Sequence, residues 1–247
     1  MILGMHQPNY LPWLGFFYKM LKSDVFILID NCQYVSSSYT NRTRIKCEKG
    51  AEWMTIPVYT KGHRFQAIRD VRIVSPVKCF AGQQATLQSR YGGKLEWPDE
   101  YWPRLQGVYG RGFEKLCDLN VAFIKEICSI LEIKTKIHLA SEFPCGGTQT
   151  VRLVELCKAV NADTYLSGFG ARKFQDEGLF RAEGVELRYS DFVHPCYEQR
   201  FGSFVEGLSI VDLLFNCGPA AREILENAHE GASVGLGVAQ PQGGSVR

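Results

Sequence analysis

The densest collection of reactive side chains lies just after a short apolar run at the amino terminus. His6, Gln7, Asn9 and Tyr10 fall together in HQPNYLPWLGFF, interleaved with Pro8 and Pro12. Histidine exchanges a proton near neutral pH, and amides and a phenol can orient a polar ligand against it. The two prolines lower the entropy cost of holding these groups in place. A second cluster, IDNCQY, follows another apolar run and offers Asp30 with Gln33 beside it. Asp30 can hold His6 in one tautomer, coordinate a cation or act as a base; it can equally close an Asx turn or cap a helix. In NRTRIK, Asn41 precedes Arg42, Arg44 and Lys46, which on a strand share one face. Three cations on one face suit the phosphates of a nucleotide or nucleotide sugar, and also suit a solvated surface.

Two later segments carry weaker signals. SGFGARKF contributes Ser167 and Gly168, whose position after a strand lets the backbone approach a phosphate, although the third glycine of a dinucleotide fingerprint and the lysine of a P-loop are missing. HPCYEQRF contributes His194, Cys196, Tyr197 and Gln199. His194 is a candidate for proton transfer or substrate contact, and Cys196 for a reactive thiol. Nine cysteines form no CxxC pair, so no metal site is expected and most thiols should be small core hydrophobes.

These residues need a scaffold. The Ile2–Met5 run, a helix from about Trp13 and the apolar Val25–Ile29 run together read as a parallel βαβ unit, with HQPNY at the carboxyl end of its first strand. Helical aromatic spacing assigns Trp13, Phe16 and Phe17 to the core. Strands are expected over 42–46, 53–59 and 69–74 as an insertion, followed by helical sequence from 79 to 110 with a break at Trp97-Pro98. A strongly amphipathic helix is expected over 113–131, its apolar stripe interrupted by Asn120. Thr148 is the expected N-cap of a helix to Val160, strands follow at 163–167 and 185–188, and a helical pair begins at Leu208. The expected architecture is one α/β domain over residues 1–227, built on a mostly parallel sheet with a strand-rich insertion and a helical carboxyl-terminal part. The Gly-, Gln- and Ser-rich residues 228–247 are expected to be a disordered tail.

Composition narrows the function. Twenty-eight Lys and Arg against 26 Asp and Glu leave a net charge of +2, too little for an electrostatic nucleic-acid binder. No apolar run approaches the roughly 20 residues needed to cross a bilayer, and no signal-peptide pattern opens the chain; a cytoplasmic location is the expectation.

In order, HQPNYLPWLGFF, IDNCQY, NRTRIK, WMTIPV, YLSGFGARKF, HPCYEQRFGSF and LSIVDLLFNCGP resemble the WbqC-like family over nearly all the chain to about Asn227. The resemblance implies a bacterial protein of O-antigen, capsule or related glycan gene clusters. It also implies that His6, Gln7, Tyr10, Asp30, Gln33, Asn41, Arg42, Arg44, Ser167, Gly168, His194, Tyr197 and Gln199 are family motif positions. The expected activity is transfer of an acyl or aminoacyl group to the amine of a nucleotide-linked sugar, with an activated donor or an acyl carrier protein as partner. His6 or His194 would be the base, Asn9 or Gln33 a donor to the oxyanion, and Arg42 and Arg44 the diphosphate clamp. The strand–loop–helix opening also looks like the start of nucleotidyltransferases. Gly15 matches the glycine of their HxGH-type loop, and Phe16 stands where the second histidine belongs. A third reading is a non-catalytic nucleotide-sugar or glycan-binding factor.

Overall fold

The computed structural model describes residues 1–62, 65–92 and 98–229. In chain order its elements are β1 (Ile2–His6), α1 (Leu14–Leu21), β2 (Val25–Leu28), β3 (Arg42–Cys47), β4 (Gly50–Thr55), α2 (Pro76–Tyr91), α3 (Pro98–Gly110) and α4 (Leu116–Ile130). They continue with β5 (Lys136–Leu139), α5 (Gln149–Ala159), β6 (Thr164–Ser167), α6 (Glu177–Ala182), β7 (Glu186–Tyr189), α7 (Ile210–Cys217) and α8 (Ala221–Glu226). Short 3-10 turns cover Ile68–Asp70, Ala140–Glu142, Phe169–Phe174 and Gly218–Ala220.

Five strands form one wholly parallel sheet in the order β5-β2-β1-β6-β7. The βαβ opening forms as expected, with Leu3 opposite Val25 and His6 opposite Leu28. Both faces of the sheet are covered, which is why its strands read as continuous apolar runs. Leu3, Met5, Val25 and Ile27 pack on one side with Val154 and Leu156 of α5 and Phe180 of α6. Phe26 and Leu28 pack on the other with α1, α4, α7 and α8. Helix α1 is buried from Leu14 through Met20 because it lies between the sheet and the carboxyl-terminal helices. Gly4 leaves room for the turn into β2 and for the Phe26 ring: a Cβ there would sit 2.5 Å from Ser23 Oγ and 2.6 Å from the ring.

The insertion differs from expectation. β3 and β4 pair antiparallel, but β4 starts at Gly50 rather than Trp53 and the hairpin is correspondingly tight. Residues 69–74 form no strand; they make a 3-10 turn and single bridges to Val58 and Lys115. β5, an edge strand, has no counterpart in the sequence reading, since KIHL is short and follows a run of alternating lysines. Thr148 occupies the N-cap position of α5, yet its side chain makes no capping bond. Order extends slightly past Asn227: the Ala228 carbonyl accepts from Val193 N–H and His229 bridges Phe192. The remainder of the expected tail, 230–247, lies outside the described residues.

Candidate functional site

From β1 the chain moves to β2 and β5 on one side, then returns to β6 and β7 on the other. The carboxyl ends of β1 and β6 therefore flank the topological switch point, where connections leave in opposite directions and open a crevice. A cavity of about 380 Å³ lies there. Its walls come from the end of β1 (Met5, His6), from α1 (Phe16, Lys19), from Ser167 and the turn that follows it, and from Phe192 after β7. Trp13 folds over Gly15 to complete one wall; a Cβ on Gly15 would lie 2.4 Å from the indole.

His6 is half-buried and packs edge-on against Phe16, with ring centroids 5.1 Å apart. Its Nδ1 donates to the Gln7 carbonyl at 3.0 Å, so the neutral ring keeps its lone pair on Nε2. Burial, with the nearby charge of Lys19, pushes the imidazole down to about 3, and the ring is neutral at physiological pH.

Lys19, which the sequence reading passed over, shares the cavity wall. Only 4% of it is exposed. Its Nζ donates to the Met5 carbonyl at 2.6 Å and stands 5.5 Å from the Phe26 ring centroid. It has no ion-pair partner among the described residues, and burial lowers its ammonium to about 7. A signal was present: one lysine in LGFFYKML, a helix apolar all round, must be satisfied inside the protein.

Ser167 is fully buried and accepts from Gln175 Nε2 at 2.8 Å. Gly168 begins the 3-10 turn with φ −74°, so its backbone needs no glycine; a Cβ added there meets no protein atom within 4 Å.

The other expected site residues lie elsewhere. Asp30 does not orient His6. Both of its oxygens are taken by Ser141, the backbone N–H at 2.9 Å and the hydroxyl at 2.6 Å, which caps the 3-10 turn after β5. Gln7 braces the loop, donating from Nε2 to Cys32 Sγ at 3.3 Å and accepting from Thr40 Oγ1 at 3.5 Å. Asn9 is buried, and the Tyr10 hydroxyl is buried against Tyr109, with Gln83 Oε1 at 3.3 Å. Gln33 is exposed at a bridge to Ala67. A further positioning residue is Asn120, the polar interruption in α4: its Nδ2 donates to the carbonyls of Pro8 and Thr40, both at 2.8 Å, and ties the loop after β1 to α4.

The cationic face is not assembled as a phosphate clamp. Arg42 stacks on Trp53 at 4.1 Å, Arg44 Nη1 donates to the Glu206 carbonyl at 3.5 Å, and Lys46 is fully buried. None of them lines the cavity. Lys46 belongs to a second polar cluster. Its Nζ donates to Gln199 Oε1 at 3.1 Å and to the Ser203 carbonyl. The Tyr91 and Tyr197 hydroxyls both donate to Asp212, each at 2.9 Å, and Asn41 Nδ2 donates separately to the Ile56 carbonyl. Burial raises Asp212 despite these donors and lowers Lys46 despite Asp212 nearby.

His194 has both ring nitrogens engaged: Nδ1 donates to the Pro195 carbonyl at 3.2 Å and Nε2 accepts from Gly207 N–H at 3.0 Å. Burial lowers its basicity, and protonation would displace the Gly207 bond. Its geometry is that of a loop brace. Cys196 is exposed and outside the cavity wall. Burial pushes Cys117, Cys128, Cys157 and Cys217 up to about 12, consistent with packing thiols. Among the described residues no group of three or more His, Cys, Asp or Glu side chains could hold a metal, and no helix is long and apolar enough to cross a membrane. A wider groove of about 710 Å³ lies beside α2, but its Arg72 and Glu114 pair with each other at 2.7 Å.

No solved structure matches the chain. An uncharacterized protein of Mycobacterium tuberculosis, Rv1507c, is 34% identical over 221 residues, which cover 89% of this chain and 95% of that protein. The model of the WbqC-like protein family matches residues 7–224, a range that begins directly after His6 and includes Lys19 and the turn after β6, and the chain belongs to that family.

Proposed function

We propose that this protein is a group-transfer enzyme of bacterial surface-glycan synthesis. It joins an acyl or aminoacyl group to the amine of a nucleotide-linked sugar bound in the switch-point cavity. The observation that carries the reading is His6: a neutral imidazole with its Nδ1 proton fixed on the Gln7 carbonyl and its Nε2 lone pair available, in a partly apolar cavity. The family resemblance supplies the glycan setting. The cavity lies where α/β sheets bind nucleotides, and Trp13, Phe16, Phe169 and Phe192 give it apolar walls for a base or sugar face.

In the proposed reaction the neutral sugar amine attacks the carbonyl carbon of an activated donor, a thioester on a carrier protein or coenzyme. The C–N bond forms as His6 Nε2 takes the proton from nitrogen. The C–S bond then breaks, and the proton passes from Nε2 to the departing thiolate. Gln7, through its backbone carbonyl, holds the ring through both transfers, while Asn120 and Pro8 fix the loop that carries it. The roles proposed for Asp30, His194 and the Arg42–Lys46 face have no support in where those side chains lie.

The test incubates the purified protein with a panel of nucleotide amino sugars and acyl or aminoacyl thioesters and reads product mass. A mass gain equal to the acyl group, lost in His6→Ala, is expected. Failure across the panel by a folded protein would overturn the assignment. A second reading, nucleotidyl transfer from ATP, is favoured by the strand order, but Phe16, which packs on His6, offers no hydrogen bond to phosphate. Pyrophosphate release from ATP would establish it in place of acyl transfer.

A further inference from the structure

We infer that the switch-point cavity contains an anion subsite at Lys19, which takes a phosphoryl or carboxylate group of the ligand. The inference deepens the proposed function and rests on it only for the identity of the larger ligand. An ammonium carries three donors. Lys19 spends one on the Met5 carbonyl and has no counter-charge among the described residues, yet its side chain lines an open cavity rather than a sealed core. A buried cation left in this state is unfavourable until an opposite charge approaches.

The remaining walls suit such a ligand. Among the described residues no acidic side chain lines the cavity; besides Lys19, its polar groups come from His6, Trp13, Tyr165, Ser167 and Ser190 with the backbone of Gly168–Ala171. The rest of the wall is largely aromatic, so an anion entering it leaves water and interacts with Lys19 through a medium of low polarity, where a charge-assisted bond is strong. Burial has lowered the unliganded ammonium to about 7, and a bound anion would restore it. Burial, the main cause of the lowered His6, would remain, while the same anion would offset the smaller Lys19 contribution and raise the imidazole's basicity to that extent. Nucleotide binding and proton transfer would thus be linked through one side chain. The cations first expected to hold phosphate, Arg42, Arg44 and Lys46, are engaged with Trp53, the Glu206 carbonyl and Gln199 and lie off the cavity wall.

Two measurements on the full chain test the subsite. Thermal melts in inorganic phosphate, acetate and chloride at matched ionic strength should show stabilisation by phosphate or acetate over chloride, and Lys19→Met should weaken that response about ten- to a hundredfold in apparent affinity. Phosphate acting without acetate assigns a phosphoryl group; acetate acting alone assigns a carboxylate. The second measurement needs no variant: reductive methylation with formaldehyde and cyanoborohydride, followed by peptide mass spectrometry. The effective anion should slow labelling of Lys19 and leave exposed Lys49 unchanged. If neither anion protects Lys19, or if folded Lys19→Met responds to them as the wild type does, the subsite is wrong even where acyl transfer is found. Protection of Lys19 without any transfer activity would remove the acyl-transfer reading and leave the subsite standing.

Discussion

Lys19 and Lys46 are both withdrawn from solvent, but their surroundings are opposite. Lys46 sits between a hairpin and the carboxyl-terminal loop, bonded to Gln199 and the Ser203 carbonyl, with Asp212 close enough to favour its charge. Lys19 has one carbonyl and a cavity. A satisfied buried polar network fixes a fold, whereas an unsatisfied buried charge at a cavity wall stores interaction for a ligand. The motif positions that the resemblance implies fall in both regions, so occurrence in such a motif does not distinguish a side chain that holds the fold from one that lines the cavity.

The sharpest way to break this division is to damage each region and ask which property fails. His6→Ala should lower kcat for transfer by about 10²- to 10⁴-fold, the usual contribution of a positioned general base, with the melting temperature nearly unchanged. Asp212→Ala should do the reverse. It leaves the buried Tyr91 and Tyr197 hydroxyls without their acceptor, and each orphaned group costs about 1–3 kcal/mol. Urea denaturation should therefore show a loss of about 2–6 kcal/mol, while turnover per folded molecule stays within a few-fold. A folded Asp212→Ala protein devoid of activity would mean that the network reaches the chemistry, and the two regions would have to be joined.

A smaller effect with the opposite sign is expected at Lys19. Lys19→Met removes a poorly compensated buried amine and should raise the stability of the unliganded protein by about 1–3 kcal/mol at pH 7, even as it weakens ligand binding. The pH dependence follows from the lowered ammonium. Between about 7 in the folded protein and the ordinary lysine value of about 10.4, the unfolded chain binds more protons, so wild-type stability gains from this group as pH rises through that window. His6 acts at the other end. Its folded value of about 3 lies below the ordinary histidine value of about 6.5, so its contribution is lost as pH falls from about 6.5 toward 3. Equilibrium unfolding across pH 3–10 should show both slopes in the wild type, the alkaline one absent from Lys19→Met and the acid one from His6→Gln. Persistence of the alkaline slope in Lys19→Met would assign it to another group.

What could be read from the sequence follows the range of the forces involved. The βαβ opening, α4 and β6 were legible because local periodicity and continuous apolar runs specify them. That His6, Ser167 and Gly168 line one cavity was legible because strand ends in an α/β sheet deliver loops to one edge. The fate of Arg42, Arg44 and Lys46 was not: alternation puts them on one strand face, but what covers that face comes from residues about 150–160 positions away, at Gln199, Ser203 and Glu206. A further signal is a polar residue at an apolar helical position, noted at Asn120 but informative at two other positions as well. Lys19 in α1, Asn120 in α4 and Asp212 in α7 are three instances, and each anchors a buried polar arrangement.

The smallest predicted effect tests whether the loop carrying His194 takes part in chemistry. His194 is engaged through both ring nitrogens, and Tyr197 and Gln199 turn inward to Asp212 and Lys46. Alternation along this extended segment leaves Cys196 outward and exposed, away from the cavity wall. A nucleophilic thiol must reach the acyl carbon and have a base or positive field that favours its thiolate, and Cys196 lies off the cavity wall in an exposed position. Cys196→Ser should therefore leave kcat and KM within about twofold and stability within about 0.5 kcal/mol, as for an ordinary surface substitution. Iodoacetamide should label Cys196 in the wild type without abolishing transfer. A large loss of turnover in a folded Cys196→Ser protein, together with a trapped acyl-thioester at that position, would move the covalent chemistry from the switch-point cavity to this loop and reverse the roles given to the two regions.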